Sequence, residues 1–204
     1  MLHEEILSEQ QKALTPLLHT FQGDFMLVGG TALALQLGHR ESIDFDLFTL
    51  KPFSQNSLRK EIISFGKTIN TLVESPEEYT VQIDGVKITF LEYPFPITAT
   101  VSWENVISVS DMKTIASMKA YALGRRAKWK DYVDLYFVMK NGITLGDIVK
   151  KAEEIFKGEF NEKNFRTQLA YFDDIDHTES VIFRPGFEVA DVVIQDELTR
   201  LSLE

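Results

Sequence analysis

The segment LVGGTALALQLGHRESIDFDLFT, residues 27–49, constrains the fold more than any other part of the chain. Its Gly29-Gly30-Thr31 turn predicts a helix opening straight after a short strand, and Asp44 and Asp46 fall on a second strand beyond that helix. Side chains alternate faces along a strand. The two carboxylates therefore share one face, with α-carbons roughly 6.5–7 Å apart. Ile43, Phe45 and Leu47 are expected to point the other way, into a core. Carboxylates fixed side by side on a rigid strand suit hard divalent cations, Mg²⁺ above all. A glycine turn at a helix start cradles phosphates on backbone N–H groups. Together the two features point to metal-dependent chemistry on a nucleoside triphosphate.

The chain's 204 residues are enough for one large domain or two small ones. No apolar run approaches the ~20 residues needed to span a bilayer, and the acidic, polar start MLHEEILSEQQ is unlike a secretory signal. There is no cysteine, which excludes disulfides, thiolate zinc sites and cysteine nucleophiles. A cytoplasmic protein is expected. The net charge of −10 argues against gripping long duplex DNA, because neutralised phosphates supply most non-specific affinity there. Arg125, Arg126, Lys128 and Lys130 form one local basic patch within that acidic balance.

Periodicity and capping signals predict a helix over 4–20 bent at Pro16, a strand at 25–28, a helix from Thr31 to about Leu37 ended by Gly38, and the aspartate strand at 43–48. Ser54 is a plausible N-cap for a helix to about Phe65. A strand at 68–74 and a hairpin of 79–83 with 86–92 around Asp84-Gly85 follow, then one short strand near Val106. From Ser110 the pattern turns helical: to about Arg126, from near Lys130 to Asn141-Gly142, then 144–156, 161–171 and 188–203. The expected architecture is α+β (mixed α/β): a core with an N-terminal helix over 1–108 and a helical region over 109–204 packed on it.

An Asp-x-Asp pair alone is common on solvated faces; the glycine turn one helix upstream gives this pair its weight. The Thr31 hydroxyl can donate to a phosphate oxygen, Arg40 can meet a triphosphate or lock Asp44, and Ser42 can orient the aspartates. A second constellation lies in KWKDYVDLYFVMK, residues 128–140, where Asp131 and Asp134 are three apart and share a helix face. Lys119 and Lys130 are candidate phosphate or leaving-group contacts.

GGTALALQLGHRESIDFDLF, GVKITFLEYPFP, SDMKTIASMKAYALGRRAKWKDYVDLYFV and AYFDDID stand in that order. Over about residues 20–180 the chain resembles the AbiEii/AbiGii toxin family of nucleotidyltransferases, whose core is DNA polymerase β-like. The resemblance implies NTP use with Mg²⁺ (or Mn²⁺), Asp44 and Asp46 as metal ligands, and Gly29, Gly30 and Thr31 on the phosphates. It places Asp131 and Asp134 in the active site, one of them as base or orienting residue. It further implies a toxin with a cognate antitoxin or a phage-defence role, with a tRNA end or a protein as acceptor. One departure stands out: Thr89 occupies the strand position where such proteins usually carry a third carboxylate, and Glu92 on a regular strand faces the opposite side. The alternative is a catalytically weakened member that binds a nucleotide or a partner.

Overall fold

The computed structural model describes residues 2–123 and 125–204. The chain divides into two compact units, Met1–Asp111 and Met112–Glu204.

In the first unit a 3₁₀ turn at Glu4–Ile6 precedes α1 (Glu9–Thr20). The expected single helix breaks at Leu7-Ser8 because Ser8 and Gln11 form a capping box, each side chain meeting the other's backbone N–H. β1 (Met26–Val28) runs directly into α2 (Gly29–Leu37), which Gly38 ends in the left-handed conformation. β2 (Phe45–Thr49) follows, then α3 (Gln55–Ser64), where Ser54 accepts from Ser57 N–H as its N-cap. β3 (Asn70–Glu74), β4 (Glu78–Ile83) and β5 (Val86–Glu92) come next. The β4–β5 hairpin turns on Asp84 and Gly85, both at positive φ as that two-residue turn requires. The expected single strand near Val106 is a pair, β6 (Val101–Trp103) and β7 (Ile107–Val109).

These strands form one sheet in the order β3-β4-β5-β2-β1-β7-β6. β2 pairs antiparallel with β1 and parallel with β5, so β2 sits mid-sheet. Phe45 and Leu47 are fully buried opposite Ile88 and Phe90, and Phe21, Phe25 and Phe90 meet edge to face below them. Ile43 departs from the alternation. The strand starts at Phe45, and Ile43 lies in the preceding loop, 69% exposed rather than in the core.

The second unit is helical: α4 (Met112–Leu123), α5 (Trp129–Lys140), α6 (Leu145–Phe156), α7 (Glu162–Leu169) and α8 (Asp191–Ser202). α4 is shorter than the expected helix to Arg126, and Gly124 lies outside the described residues. Thr144 with Asp147 caps α6 and Asn161 caps α7. Tyr132, Val133, Leu135, Ile148, Phe165, Leu169, Ile194 and Leu198 make its apolar interior. The Tyr132 phenol donates to the carbonyls of Gln168 and Tyr171, and burial, followed by the nearby carboxylates of Asp174 and Asp131, pushes it well above the usual tyrosine range.

Candidate functional site

In the first unit the site is built where the first residues of α2 meet the start of β2. Gly29 has φ +72°, a conformation that costs an L side chain roughly 1–2 kcal/mol. It also lies so close to Asp46 that a Cβ built there would fall 2.1 Å from Asp46 Oδ2. Both the turn and the carboxylate thus demand glycine. Gly30 serves the next contact, since a Cβ there would lie 2.7 Å from Arg40 Nη2. Arg40 is buried rather than a solvated loop residue, and its Nη1 donates to the Glu41 carbonyl at 2.8 Å.

Thr31 is also buried. Its hydroxyl reaches Ser42 Oγ at 2.9 Å and donates to the Asp44 carbonyl. A hydroxyl has one proton to give, so here it pins the loop that carries Asp44, and any phosphate contact of Thr31 falls to its backbone N–H. This corrects the expectation that the hydroxyl itself is available to a phosphate. Asp44 stands one residue ahead of β2 rather than within it, and its Oδ2 lies 2.8 Å from Lys87 Nζ.

Thr89 sits where the sequence pattern placed it: it pairs with Asp46 across the parallel β2–β5 register and accepts a 3.3 Å hydrogen bond from Thr80. Glu92, paired with Thr49, lies three residues farther along. Among the described residues no three His, Cys, Asp or Glu side chains form a metal-holding group.

The second unit has its own charged cluster. Lys119 is buried on α4, its Nζ 2.6 Å from Asp131 Oδ1 and 2.7 Å from Asp134 Oδ2 on α5. Both carboxylates are essentially inaccessible, and Arg126 approaches the other Asp131 oxygen at 3.4 Å. Spacing three apart on α5 brings the pair together as expected. Lys119, however, is not a solvated lysine: its charge is committed to these two partners.

Lys130 is likewise committed. It and Lys128 both donate to Glu179, a residue with no local sequence signal. The Trp129 ring packs against His177 and its backbone N–H donates to the Asp176 carbonyl, so residues 176–179 lie along the start of α5. Burial opposes ionisation of Glu179, yet the hydrogen bonds and charges of the two lysines outweigh it and hold the carboxyl at about 2, against an ordinary 4.5. Its lowered pKa contributes stability that is fully present above the unfolded value and is lost as pH falls from about 4.5 toward 2. Glu179→Gln is therefore expected to flatten the fall of Tm between about pH 5 and 2. Wild-type and variant curves that stay parallel there would refute the pairing.

The Gly29 contact makes a second prediction. Gly29→Ala is expected to lose about 1–3 kcal/mol of stability, strain plus displacement of Asp46, together with most of the NTP-dependent activity that the resemblance implies. Gly23 also has positive φ (+96°), but a Cβ there meets nothing within 4 Å. Gly23→Ala should therefore show the strain cost alone with activity intact. Equal activity in the two variants would show that the Asp46 contact does not matter.

Comparison with known proteins identifies the family and the fold. The family described as "Nucleotidyl transferase AbiEii toxin, Type IV TA system" matches residues 14–184. An uncharacterised protein of Aquifex aeolicus is 33% identical over 178 residues, 83% of this chain and 84% of its own length. Two solved structures share the fold. A candidate nucleotidyltransferase of Helicobacter pylori has a TM-score of 0.63 at 18% identity, covering 96% of this chain and 94% of that one. MenT4, a nucleotidyltransferase toxin of Mycobacterium tuberculosis, has 0.60 at 13% identity, covering 95% and 81%. No helix among the described residues is long and apolar enough to cross a membrane. The match over most of its length makes this chain a member of the AbiEii toxin family of nucleotidyltransferases.

Proposed function

We propose that the chain moves a nucleoside monophosphate from an NTP to an acceptor hydroxyl on a tRNA end or a protein, releasing pyrophosphate, as the cytoplasmic toxin half of a toxin–antitoxin or phage-defence pair. The observation that carries this reading is the closure of the Gly29 turn onto Asp46. It sets a helix N-terminus, which favours anions, beside carboxylates, which favour cations, and a metal–triphosphate needs both.

Asp44 and Asp46 would hold a divalent cation, Mg²⁺ or Mn²⁺. Bound there, such an ion offsets negative charge on the triphosphate. Backbone N–H groups of Gly29, Gly30 and Thr31 hold the β- and γ-phosphates, while Arg40 and Ser42 keep that turn in place. The acceptor oxygen bonds to the α-phosphorus, the bond from that phosphorus to the pyrophosphate oxygen breaks, and the hydroxyl proton passes to water. Lys119 and Lys130 already hold carboxylate partners in their own unit and take no part in this step.

The test is transfer of α-phosphate label from each NTP into cellular RNA and protein with Mg²⁺ or Mn²⁺, beside Asp44→Ala/Asp46→Ala. Label in one fraction with wild type alone supports the reading and names the acceptor class. Thr89 opposite Asp46 favours a second reading, a weakened member that binds a nucleotide or partner. NTP binding without any label transfer would select it.

A further inference from the structure

Two strand registers line up a row of side chains across the sheet: Asp46 on β2 stands opposite Thr89 on β5, and Thr89 opposite Thr80 on β4. Directly opposed residues point to one face, so both threonines lie on the side that carries Asp46. Glu78 precedes Thr80 by two residues on β4 and shares that face. The contacts follow the row. Thr80 Oγ1 lies 3.3 Å from Thr89 Oγ1 and 2.7 Å from Glu78 Oε1. Thr80 is buried, while Thr89 and Glu78 on either side of it are half-buried.

The Thr80 hydroxyl has one proton and two partners. Turned toward Thr89, it donates there. Turned toward Glu78, it makes the shorter, charge-assisted bond and leaves a lone pair to which Thr89 can donate in its turn. In this second arrangement a continuous chain of donors runs from Thr89 through Thr80 to a carboxylate. Such a chain carries a proton without moving a heavy atom. Thr89 takes a proton on its oxygen as it releases its own to Thr80, and Thr80 releases its own to Glu78. Burial of Thr80 keeps the middle link from exchanging with solvent. For packing alone valine would fit both positions, since it matches threonine in shape.

We propose that Thr89, Thr80 and Glu78 form a proton relay that draws the acceptor's proton away from the reacting face, with Glu78 as its terminal base. The inference rests on the transfer proposed above. The water that takes the proton from the acceptor hydroxyl passes one to Thr89 and is neutral again; the chain delivers one to Glu78, which becomes the neutral acid and is discharged to solvent after turnover. Thr80 and Glu78 act through Thr89, which alone of the three stands opposite Asp46.

The experiment measures single-turnover transfer of α-phosphate label from NTP into cellular RNA and protein by the full chain. Glu78→Gln is expected to lower the rate at saturating NTP about 10²-fold, the usual worth of a placed base, with the half-saturating NTP concentration unchanged. Thr89→Val is expected to show the same loss, and Thr89→Ser to recover at least tenfold of it. Thr89→Asp sets a carboxylate at the head of the chain, so Glu78→Gln added to that protein should change its rate less than about twofold. Glu78→Gln at the wild-type rate overturns the relay and leaves the nucleotidyltransferase reading intact. So does a Thr89→Asp protein without transfer, or an equal loss from Glu78→Gln in both backgrounds, because a structural role would not depend on residue 89. A wild type that transfers no label overturns both.

Discussion

Lys119→Met is expected to lower the unfolding free energy by about 3–5 kcal/mol, the usual cost of breaking a buried ion pair from one side. Methionine keeps the apolar stem and volume of lysine while removing only the ammonium. What remains is two inaccessible carboxylates, one helical turn apart on α5, deprived of the charge they share. Arg126 touches one of them at 3.4 Å, but its side chain is half exposed and too well solvated to replace a buried partner. The two carboxylates repel each other as well, which places the loss toward the upper end of the range. Urea unfolding followed by circular dichroism measures it. Adding Asp131→Asn and Asp134→Asn to the same background should recover part of the loss, because the charges that lacked a partner are gone. A single variant less than about 1 kcal/mol below wild type would show that the cluster is solvated and that its lysine is free for phosphate.

What could be read from the sequence is what depends on neighbours a few residues away. Ser54 announced its helix because a cap acts on the backbone N–H three residues later, and the helices expected from 144 and 161 prove to be capped in the same way by Thr144 and Asn161. Asp84-Gly85 announced its hairpin because both residues tolerate positive φ. The same range explains why Asp131 and Asp134 were found together: one helical turn separates them. The misses lie beyond that range or too close to the noise. Ser8 and Gln11 sit within a polar run, so a capping box inside an apparently continuous helix was hidden. β6 and β7 have three residues each, too few for alternation to show.

In the site itself, the alternation that places Phe45 and Leu47 correctly was carried two residues too far, onto Ile43. Lys87 could not be anticipated. Its place beside Asp44 comes from parallel pairing of β2 with β5, strands some forty residues apart, and no local pattern specifies which strand lies alongside another. Glu179 is hidden for the same reason, meeting Lys128 and Lys130 across about fifty residues. Thr89 was singled out only against a family pattern; its place opposite Asp46 comes from the same long-range pairing.

Asp46→Asn is expected to cut nucleotidyl transfer by about 10²–10³-fold, equivalent to about 3–4 kcal/mol of lost transition-state stabilisation. Asparagine matches aspartate in volume, so the tight approach to Gly29 survives and only the negative charge is removed. The residue lies at the half-buried end of the β2 alternation, between Phe45 and Leu47 in the core. Stability should therefore fall by less than in Lys119→Met, because no cavity is created and the residue is only half-buried. That separation from Lys119→Met is what makes the pair informative: one variant fails as a fold, the other as a catalyst. The loss should appear in kcat and kcat/KM together, since charge compensation matters most where charge develops in the transition state. A rise in KM with kcat unchanged would instead make Asp46 a ground-state binder of the metal–NTP. Full transfer by a folded Asp46→Asn protein would reduce the Gly29–Asp46 contact to a packing detail and remove the cation site from the mechanism.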